Sequence, residues 1–342
     1  MTELLERLPK FDGRSKEEIL DILLKEEYGY LPPKPDEMCV SVESTDYSFC
    51  AGRANLVTLK FTCKGAWGDF SFPAFYVCPK NADKPVPAFI HINFRNNIPD
   101  RYQPTEELID EGFATLTFCH TDITTDNWDF TTGFAGLLYP NGERTPKQCG
   151  KLGLWAWTAM RLMDYAQTRA ELDKTRISVV GHSRLGKTAL LTGALDERFY
   201  CAISNDSGCS GAALSRGKTG ETVAGINKNW GFWFNTEYKK YSDKEDMLPF
   251  DQHFLIAANY PHKVYVCSAE EDETAHPRNE YLSCVAASEF YESRGMKGFV
   301  HPERIAEVGE AFHEGNIGYH IRSGCHYQSR EDWRRYIEFL KK

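Results

Sequence analysis

The rhythm of apolar and polar positions changes near residue 86. Before it, the pattern predicts a short helix at residues 15–27, a proline-rich turn and successive strands over residues 38–79. After it, short apolar runs typical of buried strands alternate with segments of helical spacing. Strands are expected at 86–92, 113–118, 177–180, 200–204, 264–268 and 318–321, and helices at 105–111, 151–167 (amphipathic), 184–195, 278–293 and beyond a Ser329–Asp332 cap. This order predicts an α/β fold, a mixed sheet with helices on both faces.

Composition limits the class of protein. The 342 residues, 42% of them hydrophobic, suffice for one large α/β domain or two smaller ones, and no repeat or Gly/Ser linker divides them. The formal net charge of -9 argues against a nucleic-acid partner, which calls for a basic face. No apolar run approaches the roughly 18 residues of a membrane span. We expect an enzyme with a small ligand, as a monomer or small homo-oligomer.

The cysteines and histidines suggest neither a disulfide framework nor a metal site. The 11 cysteines are scattered, odd in number and without C-x-x-C pairs, and the 10 histidines form no H-x-x-x-H pair. The charged segment 1–14 lacks the apolar core of a signal peptide. The expectation is a reduced, cytoplasmic protein with no cofactor and no metal.

One octapeptide fits two incompatible motifs. Residues 181–188, G-H-S-R-L-G-K-T, satisfy the phosphate-binding loop, in which Lys187 would contact the terminal phosphates and Thr188 a magnesium ion. The same residues begin G-x-S at a predicted strand-to-helix turn, where a hydrolase places its nucleophilic serine. A phosphate loop also needs an acidic residue after a second apolar strand, and residues 201–206 are polar where apolar residues are expected. A P-loop NTPase that uses Gly181 to Thr188 is thus the alternative to a serine esterase.

A hydrolase needs serine, acid and histidine, in that order along the chain. Ser183 stands at the turn, and His326 lies just before the last predicted helix. Asp206 and Asp272 each follow a predicted strand between these two residues, so chain order leaves both open as the acid. The turn around Ser183 departs from the usual hydrolase motif at one position, because Leu185 stands where a glycine is usual and the glycine comes one residue later.

Longer segments resemble the glucuronoyl esterases, a carbohydrate esterase family of α/β-hydrolases, including bacterial acetylxylan-esterase-like members. Residues 181–187 are similar to the family motif G-C-S-R-x-G-K, with His182 in place of the cysteine. Thr274 and His276 replace a tryptophan and an aspartate of the bacterial pattern. Further similar segments are 205–213, 221–234, 268–277 and 324–333, so the resemblance covers roughly residues 85–342.

The resemblance implies a fold and an activity. The fold would be a single α/β-hydrolase domain over residues 1–342, a three-layer sandwich with a mixed, mostly parallel central sheet. Residues 1–80 would form an N-terminal helix and β-rich start, and residues 85–342 the catalytic core. The activity would be hydrolysis of a carbohydrate-linked carboxylic ester through an acyl-enzyme. The ester would be that of a glucuronate or, alternatively, an acetyl group on a plant oligosaccharide.

The resemblance also implies roles for individual side chains. Ser183 would be the nucleophile, His326 the general base and then acid, and Arg184 part of the oxyanion hole. Asp206 takes the place of the family's glutamate, and Asp272 that of the acid in ordinary α/β-hydrolases. Substrate contacts are expected from Lys187, Glu221, Trp230 and Trp233. The structural alternatives are a plain helix cap for Ser183, solvated helix charges for the two basic residues and core positions for the tryptophans.

Overall fold

Within residues 2–80, 82–217 and 219–342, which the computed structural model describes, ten strands form one mixed sheet. The strands are β1 (Glu37–Asp46), β2 (Ala54–Gly65), β3 (Gly68–Pro79), β4 (Val86–Asn93), β5 (Ala114–Cys119), β6 (Leu172–His182), β7 (Cys201–Asn205), β8 (Lys263–Ala269), β9 (Ala311–Phe312) and β10 (Ile317–Arg322). Their order across the sheet is β1-β2-β3-β5-β4-β6-β7-β8-β10-β9.

Strand direction divides the sheet into two parts. Strands β5, β4, β6, β7, β8 and β10 run parallel, whereas β1, β2 and β3 form an antiparallel meander that pairs with β5. The short strand β9 lies antiparallel to β10 at the other edge. The predicted mixed, mostly parallel sheet is confirmed. Because parallel strands bring their carboxyl ends to one edge, the loops after β6, β7, β8 and β10 meet there.

The long helices lie where the apolar spacing predicts them, with shorter ones between. In the described part of the chain they are α1 (Thr2–Glu6), α2 (Lys16–Leu23), α3 (Thr105–Asp110), α4 (His120–Ile123), α5 (Gly133–Leu138), α6 (Lys151–Ala166), α7 (Arg184–Leu195), α8 (Val223–Trp230), α9 (His253–Ala257), α10 (Pro277–Glu292) and α11 (Arg330–Leu340). Helix α2 continues as a π-helical turn, Leu24–Tyr28, and α8 continues as a 3₁₀ turn, Gly231–Trp233. The predicted cap is present, since the Asp332 N–H donates to the Ser329 hydroxyl at the start of α11.

The core lies on both faces of the sheet. Along the central strands, neighbouring residues alternate between two apolar clusters, as the period of two in a strand requires. Val179 and Val266 belong to the larger cluster with α6, α7 and α10, whereas Val180 and Tyr265 belong to the smaller one with α11. The central strands are thus buried on both sides between helices, as predicted, whereas the edge strand β1 is largely exposed.

Helix α6 differs from the prediction. The sequence predicts an amphipathic helix, but α6 is buried on nearly all sides. The reason is that α7, the sheet, α4, α5 and the 3₁₀ turn Gly231–Trp233 all pack around it. No helix in the described part of the chain combines the length and the apolar character that crossing a bilayer requires.

Candidate active site

Ser183 occupies a strained turn between β6 and α7. Its backbone has φ 59° and ψ -127°, a conformation that costs energy for any residue with a side chain and that clusters at functional sites. The turn is held by the Ser183 N–H, which donates to the Asn205 carbonyl at 2.8 Å, and by the Gly186 N–H, which donates to the Ser183 carbonyl at 2.9 Å. The serine side chain makes no capping hydrogen bond to α7, so the plain helix-cap alternative lacks support.

His326 and Asp272 form a close hydrogen-bonded pair. His326 lies on the loop between β10 and α11, and its Nδ1 is 2.5 Å from Oδ2 of Asp272, on the loop after β8. The other carboxylate oxygen accepts from the Ala275 N–H at 3.0 Å. Burial raises the pKa of Asp272, but the His326 hydrogen bond and charge outweigh burial, and the net pKa is lowered. An ionised Asp272 fixes the Nδ1–H tautomer and leaves Nε2 to accept a proton.

Asp206, the other candidate acid, has different partners. It follows β7, is 1% exposed, and its carboxylate accepts from the Ala269 N–H at 2.7 Å and from the Arg322 guanidinium at 3.3 Å. Burial, together with the nearby Glu280 carboxylate, raises its pKa well above the usual value. Its carboxylate lies within 4.8 Å of the Asp272 and His326 atoms. Of the two aspartates, Asp272 is the one at hydrogen-bonding distance from His326.

The nine candidate residues all line one pocket of about 260 Å³. The pocket lies at the carboxyl edge of the parallel strands, where the topology predicts a site. Four further residues complete its wall, including Thr274. The candidate residues that meet there are Ser183, Arg184, Lys187, Asp206, Glu221, Trp230, Trp233, Asp272 and His326.

Arg184 is held by Asp126, a residue whose sequence context suggests a turn or a cation loop rather than a part of the catalytic site. The Arg184 guanidinium donates to Oδ2 of Asp126, while Trp233 Nε1 donates to Oδ1 at 2.7 Å. Burial opposes ionisation of Asp126, but the His120 hydrogen bond, the Arg184 charge and the Trp233 hydrogen bond lower its pKa to about 2. Asp126 is therefore ionised at all working pH values. The only signal in the sequence is an acidic residue close after β5, which is equally typical of a turn.

Lys187 faces backbone carbonyls beside the pocket. Its ammonium donates to the carbonyls of Ser207 and Cys209, the latter at 2.5 Å, and lies 4.0 Å from the Glu221 carboxylate. The Thr188 hydroxyl donates to the Arg184 carbonyl, 3.0 Å away within α7. In a phosphate loop, the lysine ammonium would contact phosphate and the threonine hydroxyl would contact magnesium. Here both groups bind backbone carbonyls of the protein, which argues against the NTPase alternative.

The imidazole of His182 packs against the imidazole of His326. Its ring centroid lies 4.4 Å from that of His326, and its Nδ1 is 2.5 Å from Oδ1 of Asn205. Burial, aided by the nearby His326, lowers the His182 pKa to about 3. A neutral imidazole thus supports the His326 ring without adding charge.

Comparisons with known proteins agree with this geometry. The family model "Glucuronyl esterase, fungi" matches residues 63–295. The structure is similar to the glucuronoyl esterase from Solibacter usitatus, with a TM-score of 0.88 and 30% identity over 97% of this chain and 92% of that one. It is also similar to a serine-to-alanine variant of the Sporotrichum thermophile glucuronoyl esterase in complex with methyl 4-O-methyl-beta-D-glucopyranuronate. That TM-score is 0.67, with 25% identity over 95% of this chain and 81% of the other.

A curated relative shows closer sequence identity. The chain is 40% identical over 236 residues to a carbohydrate esterase from an unknown prokaryotic organism, a match that spans 68% of this chain and 54% of the relative. The chain thus spans about half the length of the first curated relatives that it matches. Since the family match covers more than half of the chain and includes the Ser183 turn, the chain belongs to the glucuronoyl esterases of carbohydrate esterase family 15.

Proposed function

We propose that this chain hydrolyses carboxylic esters of glucuronate through an acyl-enzyme on Ser183. The observation that carries the proposal is the 2.5 Å hydrogen bond between His326 and Asp272, in the same pocket as a serine on a strained strand-to-helix turn. This pair and the serine are the parts that nucleophilic ester hydrolysis requires. Family membership supports glucuronate as the acyl group.

The proposed reaction assigns one task to each of these side chains. Ser183 Oγ attacks the ester carbonyl while His326 Nε2 accepts the serine proton, and Asp272 stabilises the imidazolium. The Arg184 cation stabilises the negative charge that develops on the carbonyl oxygen. His326 then protonates the leaving alcohol. Water repeats the sequence at the acyl-enzyme and releases the free uronate.

The pocket contains groups suited to a sugar acid. The Glu221 carboxylate offers an acceptor for hydroxyl groups, with Lys187 beside it in the pocket wall, and Trp230, backed by the buried Trp233, offers a ring face for the C–H side of a pyranose. The ligand of the Sporotrichum thermophile complex is a methyl ester of 4-O-methyl-glucuronate, which supports the same acid here. A cytoplasmic location and a monomeric or small homo-oligomeric state stay predictions.

The proposal is tested by comparing two esters. Purified protein should cleave the methyl ester of 4-O-methyl-glucuronate with a higher kcat/KM than an acetylated neutral sugar, and Ser183→Ala should lower kcat by about 10⁴-fold or more. A fluorophosphonate probe should label the wild type but not Ser183→Ala. Preference for the acetylated sugar would favour the acetyl esterase alternative. Magnesium-dependent ATP binding without probe labelling would contradict both esterase assignments.

A further inference from the structure

The catalytic base lies on a loop without regular secondary structure. Residues 323–329, which we call the base loop, connect β10 to α11, and Ser323, Cys325 and His326 are exposed within it. A side chain on a loop is held less precisely than one on a helix or strand. A misplacement of about 1 Å in a catalytic group can cost about 10²-fold in rate. Contacts from outside the loop must therefore fix the position of His326.

The guanidinium of Arg322 lies against the base loop and binds its backbone. The arginine side chain is 11% exposed. Nη1 donates to the carbonyls of Ser323 and Cys325, at 2.9 and 3.3 Å, and Nη2 donates to the carbonyl of Tyr327. Two of these carbonyls belong to the residues directly before and after His326. The backbone is therefore held on both sides of the base.

Two buried carboxylates hold the guanidinium in turn. Nε donates to both carboxylate oxygens of Asp332, at 3.0 Å each, and Nη2 donates to Oδ2 of Asp206 at 3.3 Å. The same Asp206 oxygen accepts from the Tyr327 N–H at 3.4 Å. Asp332 is fixed at the start of α11, where it accepts from the Ser329 N–H at 2.6 Å. The cation thus ties the base loop to the end of β7 and to the first turn of α11.

The number of donors explains why an arginine stands here. A guanidinium has five N–H groups in a rigid planar fork, one on Nε and two on each Nη, whereas a lysine ammonium has three on a flexible stem. The acceptors match this fork, with one carboxylate at Nε and two groups at each Nη. Gly324, with φ 93°, supplies the backbone conformation that turns the loop around the fork.

Arg322 has no direct part in binding the substrate. It is not one of the described residues that line the pocket. Burial opposes ionisation of Asp332, but the His320 hydrogen bond and charge and the Arg322 charge outweigh burial and lower the pKa of Asp332. The ionised Asp332 compensates the arginine charge. Any effect of Arg322 on the reaction therefore passes through the loop that it holds.

We infer that Arg322 is a positioning residue, which fixes the base loop so that the His326 imidazole keeps its hydrogen bond to Asp272. The inference rests on the proposed function, because it concerns the proton transfer from Ser183. Without the fork the base loop samples other conformations, and His326 accepts the serine proton in only a fraction of them. Because Arg322 does not line the pocket, its loss affects kcat and leaves KM nearly unchanged.

Arg322→Lys tests the inference, since it keeps the charge and removes the fork. On the methyl ester of 4-O-methyl-glucuronate, kcat should fall about 10²-fold while KM changes less than about twofold. The matched control is Arg216→Lys. The Arg216 guanidinium, 4% exposed, donates to the carbonyls of Leu248 and Phe250 and to the Asp251 carboxylate, none of them in the base loop. Its replacement should lower the urea midpoint of unfolding and leave kcat unchanged.

Two further readouts separate positioning from a general loss of structure. The proton that His326 shares with Asp272 should give a downfield resonance in the proton NMR spectrum, assigned by its loss in Asp272→Asn. Arg322→Lys should broaden or remove this resonance, and Arg216→Lys should retain it. In a His326→Ala background, Arg322→Lys should leave the residual kcat nearly unchanged, because the group through which it acts is already absent.

The outcomes separate this inference from the proposed function. An unchanged kcat in Arg322→Lys, an equal fall of kcat in Arg216→Lys, or additive losses in the His326→Ala background would overturn the positioning role while the esterase activity stands. Retention of the downfield resonance in Arg322→Lys would also overturn it. Wild-type protein that cleaves no glucuronate ester would refute the proposed function and, with it, a role for Arg322 in that reaction.

Discussion

At the scale of single residues, the two aspartates differ in what they hold. Asp272 faces the His326 Nδ1, whereas Asp206 binds Arg322 and a backbone N–H. Asp272→Asn is expected to lower kcat by about 10³–10⁴-fold, because an amide no longer favours the Nδ1–H tautomer or the imidazolium. Asp206→Asn, the matched control, should cost far less in kcat. Steady-state rates on a glucuronate methyl ester measure both, and the reverse order would contradict the assignment.

Asp126 should act only through Arg184. Asp126→Asn removes the charge that orients the guanidinium, and kcat is expected to fall about tenfold with a smaller change in KM. In an Arg184→Ala background the same substitution should have little further effect, which a double-mutant cycle measures. Asp122→Asn, in the short helix α4 just before this loop, serves as the control. Additive losses would show that Asp126 supports the fold of the loop instead.

Some of these site residues can be predicted from the sequence and others cannot, for a physical reason. Ser183 follows from its position at a strand-to-helix turn, and His326 from chain order. The choice between Asp206 and Asp272 depends on loop conformations that bring one carboxylate onto an imidazole 54 positions away. The role of Asp126 is harder still to predict from the sequence, because its partners Arg184 and Trp233 lie 58 and 107 positions further along the chain.

At the scale of elements, the β6–α7 turn depends on space at Gly181. A Cβ on Gly181 would lie 2.2 Å from the Leu185 carbonyl oxygen, a backbone atom that cannot move without opening the turn. At Gly186 the nearest atoms would be 3.1 Å away. Gly181→Ala is therefore expected to cost about 3 kcal/mol or more in the free energy of unfolding, and Gly186→Ala about 1–2 kcal/mol. Urea unfolding measures both, and equal losses would contradict this account.

The same turn shows what local pattern can predict. Helix α7 begins and ends where the sequence predicts. The prediction succeeds because a buried strand and an apolar helix each have a characteristic spacing of apolar residues that can be read from the sequence. The departure at Leu185 is accommodated because close helix–strand packing falls on Gly186, which lies against Ser204 and Ser207. The burial of α6 was not predictable in this way. It depends on α4, α5 and a 3₁₀ turn, whose packing leaves no local signal.

At the scale of the whole molecule, buried carboxyls couple stability to pH, and Glu27 is one of them beside Asp206. Glu27, in the π-helical turn after α2, is fully buried, and both of its carboxylate oxygens accept from Gln252 Nε2, at 3.2 and 3.0 Å. Burial, aided by the charge of Asp251, raises its pKa to about 7, although hydrogen bonds with Gln252, Ser210 and Tyr238 oppose the shift. The native state therefore keeps a proton that the unfolded chain has lost.

This difference fixes the sign of the pH dependence. Between about pH 4.5 and 7 the native state binds more protons than the unfolded state, so stability falls as pH rises, by about 3 kcal/mol in all. Glu27→Gln cannot ionise and should remove the contribution of Glu27, so that stability falls less between pH 5 and 8 than in the wild type, measured by urea unfolding; the contribution of Asp206 stays. Glu26→Gln is the control, because Lys240 and Tyr241 hydrogen bonds outweigh burial and lower the pKa of Glu26, so it stays ionised above pH 5. If Glu27→Gln kept the wild-type pH dependence, the buried carboxyl would not be its source.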